Sequence, residues 1–153
     1  MTTYEYRTFI DSDKITYLKK IRELNYDAKL IRPEEINKFF TTHYHMDKLA
    51  EEYLYLVAVN AALDPIGIFE LSHGSVNKSL VIVRDIFVKL CLCGATAFIL
   101  VHNHPSKCTQ PSDNDLLYTG NIKQAANLMD IPFLDHIIIG DDYFSFKEEG
   151  YLD

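Results

Sequence analysis

Ala95–Val101 is a near-continuous apolar run that stops at His102-Asn103-His104-Pro105, and this junction constrains the chain more than any other segment. Such a run suits a strand covered on both faces, because neither side of it carries a polar stripe for water. Pro105 has no N–H to donate into a sheet, so a central strand has to end at the histidines. Side chains alternate across a strand, and His102 and His104 therefore project to the same side at its end. Candidate covering layers lie on either side of the run. Val83, Ile86, Phe87, Leu90 and Cys91 recur at helical spacing, and Gly94 sits where a helix commonly ends. A second helix is predicted from about Ser112 to Met129, with Tyr118, Ile122, Ala125 and Met129 on one stripe.

Further strands are predicted at Tyr53–Val59, at Ile66–Leu71 after Asp64-Pro65 as its hairpin partner, and at Leu134–Ile139. Pro33 suits the first position of a helix running to Phe40, ahead of Glu34 and Glu35. The expected fold is α/β, a curved mixed sheet flanked by helices, with a mostly antiparallel start. Residues 1–46 read as an N-terminal extension of unknown role and residues 47–153 as the main domain. There is no internal repeat and no low-complexity linker.

The composition narrows the function classes. At 153 residues, with 48% apolar and 24% charged residues, the chain can bury one ordinary core. Its net charge of −7, from 15 Lys and Arg against 22 Asp and Glu, and the lack of a basic run argue against strong direct binding to duplex DNA. Cys91, Cys93 and Cys108 are an odd set that cannot all pair, which suits a reducing compartment. No apolar run reaches the roughly 18–20 residues of a membrane span, and the first residues lack a secretory pattern, so a cytoplasmic location is expected.

The chemistry concentrates beyond the strand. After the loop Ser106–Pro111, Ser112-Asp-Asn-Asp115 opens the second helix and can return a carboxylate to the two imidazoles. Two nitrogen ligands and one oxygen ligand leave a fourth tetrahedral position for water, the arrangement of a catalytic zinc. The site would keep net positive charge and lower the pKa of that water towards neutrality. Two simpler readings stand beside this one. His-x-His at a strand end also forms a plain hydrogen-bonded pair, and Ser112-x-x-Asp115 is nearly a capping box at the positive end of a helix. A carboxylate has two oxygens, so capping and ligation compete only in part.

The order His102-x-His104-Pro105, six residues, then Ser112-x-x-Asp115 closely resembles the JAMM signature of the JAB/MPN metallohydrolases. The flanks His102-Asn-His-Pro-Ser106, Pro111-Ser112, Leu134-Asp-His-Ile-Ile-Ile-Gly140, Tyr143 and Ser145-Phe-Lys-Glu-Glu-Gly150 resemble its RadC-like branch, over roughly residues 48–153. The resemblance implies a JAB/MPN fold, related to the cytidine-deaminase-like arrangement, and a Zn2+ cofactor on His102, His104 and Asp115. It also implies a glutamate general acid/base at the start of an earlier strand, carried over here to Glu52, with Glu51 as its rival. Without the resemblance both read as solvated charges at a strand entrance. The deaminase chemistry itself is excluded, because neither His-x-Glu nor Pro-Cys-x-x-Cys occurs.

The implied activity is zinc-dependent hydrolysis of a peptide or isopeptide bond in a peptide or protein substrate. Glu52 would move the proton, and zinc with Ser112 would support the oxyanion. The alternative is an accessory binding module linked to DNA repair or mobile elements, the label that RadC-like proteins carry. The sequence departs from the family at Lys107, where glycine is usual, and at Val83, where proline is usual before the Arg84-Asp85 pair. The helix-hairpin-helix segment of full-length RadC proteins is not recognisable in residues 1–46. Cys91 and Cys93 read as core thiols within a helix. Cys108 is either an inhibitory ligand, a redox-sensitive neighbour or an inert loop thiol, and His136 either a partner of the ligands or a satisfied core histidine. His43, His45 and His73 have no partner at a defensible spacing.

Overall fold

The computed structural model describes residues 1–74 and 83–153. In chain order the elements are β1 (Thr2–Ile10), β2 (Thr16–Asn25), α1 (Pro33–Tyr44), β3 (Glu52–Val59), β4 (Pro65–Gly74), α2 (Val83–Cys93), β5 (Ala97–Asn103), α3 (Asp113–Met129), β6 (Phe133–Ile139) and β7 (Tyr143–Ser145). The strands form one mixed sheet in the order β2-β1-β4-β3-β5-β6-β7. The β1–β2, β3–β4, β3–β5 and β6–β7 pairs are antiparallel, whereas β1–β4 and β5–β6 are parallel. The chain is thus a mixed α/β protein with the sheet expected from sequence, and β1 and β2 extend that same sheet rather than folding apart.

Alternation along the central strands explains why they lack a polar stripe. Tyr55, Val57 and Val59 of β3 and Ile99 and Val101 of β5 pack with Ile36, Phe39 and Phe40 of α1. Leu54, Leu56 and Ala58 of β3 and Phe98 and Leu100 of β5 face the other way, against Ile86 and Leu90 of α2 and Ile122 and Ala126 of α3. Both faces of the sheet centre are dry, so β3 and β5 are apolar throughout. By the same parity Glu52 and His102 lie on the α2/α3 face, at the end of the sheet where β3 begins and β5 finishes.

Local signals agree with these boundaries. Pro33 occupies the first turn of α1, where its missing N–H costs nothing. Gly94 follows α2 with φ +67°, a left-handed conformation that closes a helix without a Cβ clash. The α3 stripe needs one correction. Tyr118 and Ile122 are buried as expected, but Ala126 completes the stripe, while Met129 is 46% exposed. Met129 is the last helical residue, beside the left-handed Asp130, and the helix end has already left the sheet there. Cys91 is also exposed rather than a core thiol, because it falls on the outer side of α2; Cys93 is partly buried.

Leu100→Ala, which empties a fully buried position between β5 and the two helices, is expected to cost about 2–5 kcal/mol in urea unfolding. Met129→Ala should stay within about 0.5 kcal/mol of wild type.

Candidate metal centre

Four side chains from three elements converge where β5 ends. His102 comes from the end of β5 and His104 from the residue just beyond it, Glu52 from the first residue of β3 and Asp115 from the first turn of α3. Their ligand atoms all lie within 4.8 Å of one another. The two Nε2 atoms are 3.0 Å apart, Asp115 Oδ1 is 3.3 Å from His102 Nε2, and Asp115 Oδ2 is 3.2 Å from His104 Nε2. Donors at the roughly 2.0–2.2 Å bond lengths of tetrahedral zinc lie about 3.3–3.6 Å from each other, close to these separations. Glu52 Oε1 is slightly farther out, 3.7 Å from His102 Nε2. His102 and Asp115 are fully buried, and Glu52 is 8% exposed. Two carboxylates and two imidazoles enclosed together form a donor set that a divalent cation satisfies, so the residues fit a metal.

Hydrogen bonds behind the imidazoles fix which nitrogen faces the group. His104 Nδ1 lies 2.7 Å from the carbonyl of Cys108, which can only accept, so Nδ1 donates there and Nε2 is the nitrogen that faces the group. His102 Nδ1 lies 2.7 Å from His136 Nε2, and His136 Nδ1 lies 2.7 Å from Thr119 Oγ1. A lone pair on His102 Nε2 requires the chain of donors to run from His102 through His136 to Thr119. His136 is therefore a partner of a candidate ligand, the first of its two sequence readings. Thr119 was not singled out by sequence, although it stands four residues after Asp115 on the same helix face. Asp135 anchors the neighbouring backbone, accepting from His136 N at 2.7 Å, Lys147 N at 3.0 Å and Ser145 Oγ at 2.5 Å. Burial nevertheless raises its carboxyl above the ordinary value.

Ser112 and Asp115 complete the capping box. Ser112 Oγ accepts from Asp115 N at 3.1 Å, and Asp115 Oδ2 accepts from Ser112 N and from Ser112 Oγ, both at 2.8 Å. The cap therefore orients the same carboxylate that faces the histidines, so capping leaves Asp115 placed beside both imidazoles. An open cleft of ≈ 580 Å³ beside the group is lined by Glu51, Glu52, His104, Cys108, Ser112 and Asn114, among others. Glu51 is exposed there, one residue out of phase with the buried Glu52.

The ligand loop is pinned from behind. His104 N donates to Ile139 O, Lys107 N to His104 O and Asp141 N to Lys107 O, at 2.9, 2.9 and 3.1 Å. Lys107 adopts φ +71°, the left-handed region where glycine would be unstrained. A Cβ on Gly140 would lie 2.3 Å from the Lys107 carbonyl oxygen, so only glycine lets the strand end and the loop approach this closely. Lys107 is not among the described residues lining the cleft; its contribution is through the backbone.

A sequence profile of the RadC-like JAB domain matches residues 30–151. The chain is 36% identical over 132 residues to a UPF0758 protein of Pelobacter propionicus, covering 86% of this chain and 57% of that protein. It is 42% identical over 101 residues to one of Streptococcus suis, covering 65% and 41%. It is 43% identical over 103 residues to one of Clostridium acetobutylicum, covering 67% and 45%. Fold and site together define a JAB-type domain with a possible metal-binding cluster. The chain belongs to the RadC-like JAB domain family, and the match includes α1 as well as the segment that carries the signature. It spans about half the length of the curated relatives it matches.

Two outcomes follow from the loop and from Asp135. Gly140→Ala should destabilise the fold by about 1–3 kcal/mol, the usual range for overpacking, while Lys107→Gly is tolerated; urea unfolding of both variants checks this. The raised Asp135 carboxyl means that the native state holds its proton more tightly than the unfolded chain does. Its stabilising contribution is full below the ordinary value of 3.8 and is lost as pH rises through the higher native value. Asp135→Asn should remove that slope from stability measured across pH 3–7, a window spanning roughly the unfolded carboxylate range upward.

Proposed function

We propose that the chain is a zinc-dependent hydrolase of peptide or isopeptide bonds. The observation that carries the reading is the convergence of His102, His104, Asp115 and Glu52 beside an open cleft. His102, His104 and Asp115 would hold the metal, and Glu52 would serve as the acid/base. Zinc, when bound, acidifies a coordinated water towards neutral pH and polarises a carbonyl.

Glu52 stands just outside the donor triangle. From there its carboxylate takes a proton at Oε1 from the attacking water and returns it to the leaving amine. The His136–Thr119 chain and the Cys108 carbonyl hold the imidazoles in the tautomer that faces the group. Ser112 Oγ would support the developing oxyanion by turning its donor from Asp115 to the substrate. That same hydrogen bond favours a second reading, a module that binds a partner without turnover, because the hydroxyl is already engaged.

The substrate is a peptide or protein rather than duplex DNA, as the charge of −7 supports. Three free cysteines suit a reducing, cytoplasmic setting. Among the described residues no helix is long and apolar enough to cross a membrane.

Elemental analysis of protein purified without chelators should find about one zinc per chain, the stoichiometry of a single three-ligand site. His104→Ala should lose it. Glu52→Gln should keep the metal and the fold but lose turnover on peptide and isopeptide libraries by about 10²- to 10⁴-fold. Ser112→Ala with full metal and no turnover supports the oxyanion role, whereas metal loss would make it a cap alone. Wild-type protein that carries zinc yet cleaves nothing in those libraries would favour the binding module.

A further inference from the structure

We infer that Asn103, between the two candidate histidine ligands, is a positioning residue that fixes the backbone of Glu52; the inference builds on the metal-centre reading above. Alternation sends the Asn103 side chain to the opposite face of the sheet from His102 and His104, where it is fully buried. Its Oδ1 accepts from Tyr53 N at 2.7 Å and its Nδ2 donates to Glu51 O at 2.9 Å. Those two groups belong to the two peptide planes that flank the Cα of Glu52. One carboxamide therefore restrains the chain immediately before and immediately after the candidate acid/base.

The strand pairing explains why a side chain has this task. The β3–β5 ladder runs from Val59↔Ala97 to Leu54↔His102 and goes no further. Beyond His102 the chain turns towards β6, where His104 N donates to Ile139 O, and Pro105 has no N–H to offer. Glu51 O and Tyr53 N would then face a departed strand in a partly buried place, where unpaired backbone groups cost stability. Asn103 supplies one donor and one acceptor in their place, which a carboxamide does and a carboxylate or hydroxyl of similar size does not do equally well. On its other edge Glu52 is paired with Gly74 of β4, a residue at φ +109°. With β4 on one edge and Asn103 on the other, Glu52 is held as part of a sheet rather than as a frayed strand end.

The linkage also has a direction. His102 and His104 lie on the metal side of the same three residues whose middle member grips β3. The ligand strand and the candidate acid/base are thus set relative to each other by one residue, across the sheet and independently of α3.

The test uses the full chain with Asn103→Ala and Asn103→Asp, the second keeping size and acceptor but losing the donor to Glu51 O. In metal-free Asn103→Ala protein, amide exchange at Tyr53 should accelerate about tenfold or more, the effect of losing a hydrogen bond, while Ile99 and Leu100 keep their protection; Asn103→Asp, which retains the acceptor, should leave Tyr53 protected. In cobalt-loaded protein both variants should bind one ion per chain, as wild type does, with a visible spectrum displaced in the same direction as that of Glu52→Gln. Unchanged exchange at Tyr53 in Asn103→Ala would overturn the inference, as would global unfolding of both variants, which would make Asn103 a structural amide of the core. A wild-type spectrum in both variants, with Glu52→Gln displaced, would overturn it too. Wild-type protein that takes no cobalt would sink the metal reading alone, and exchange at Tyr53 would still decide the role of Asn103.

Discussion

The site depends on how β5 ends. A strand buried on both faces must pair its backbone on both edges, and Pro105 ends that pairing in the middle of the sheet rather than at its rim. Of the three polar residues at the break, Asn103 meets the backbone groups of β3 that the ladder leaves behind, while His102 and His104 face the candidate centre. His102 and His104 turn to the α3 side and Asn103 to the α1 side, so one short segment holds both the candidate ligands and the support for Glu52.

Several polar groups are buried around this break, and they survive because each is hydrogen-bonded. His136 joins His102 to Thr119, Asp135 accepts hydrogen bonds from His136 in β6, Ser145 in β7 and Lys147 just beyond it, and Asn103 closes the end of β3. Such networks are stable when complete and costly when one member is removed, which makes the surroundings rigid as well as polar. The close contact of Gly140 with the Lys107 carbonyl extends the same rigidity to the loop, where backbone atoms rather than side chains set the position of His104.

How much of this was legible in the sequence follows from the range of each interaction. The strand that ends at the histidines, the helix opened by Ser112 and the strand pair after Glu52 are encoded by local periodicity and by Pro105, and they appear as expected. The cluster of His102, His104 and Asp115 was recoverable because strand alternation and a short loop leave few geometries. Glu52 was not recoverable from its own neighbourhood. Its approach to His102 depends on the register Leu54↔His102, which only the family resemblance anticipated. The structural roles of Asn103, Thr119, Gly140 and the Cys108 carbonyl are not legible in the sequence, because each acts through a partner distant in sequence or through its backbone. The misplacement of Met129 has a different cause: helical spacing identifies a face, but not the residue at which the helix leaves the sheet.

Asp115 shows why the candidate centre and the fold cannot be separated. The carboxylate that faces the two imidazoles also completes the first turn of α3, and α3 covers the same face of the sheet that carries His102. Anything that draws Asp115 towards the histidines therefore acts on the helix start, and anything that frays the helix start disperses the donors. A cation that binds only the assembled group would stabilise the native state by mass action, by about 4 kcal/mol at a thousand times its dissociation constant. Part of that stabilisation would be felt along α3, because the helix begins at a donor. The cap and the donor set are one structure viewed from its two ends, and selection on either would preserve the other.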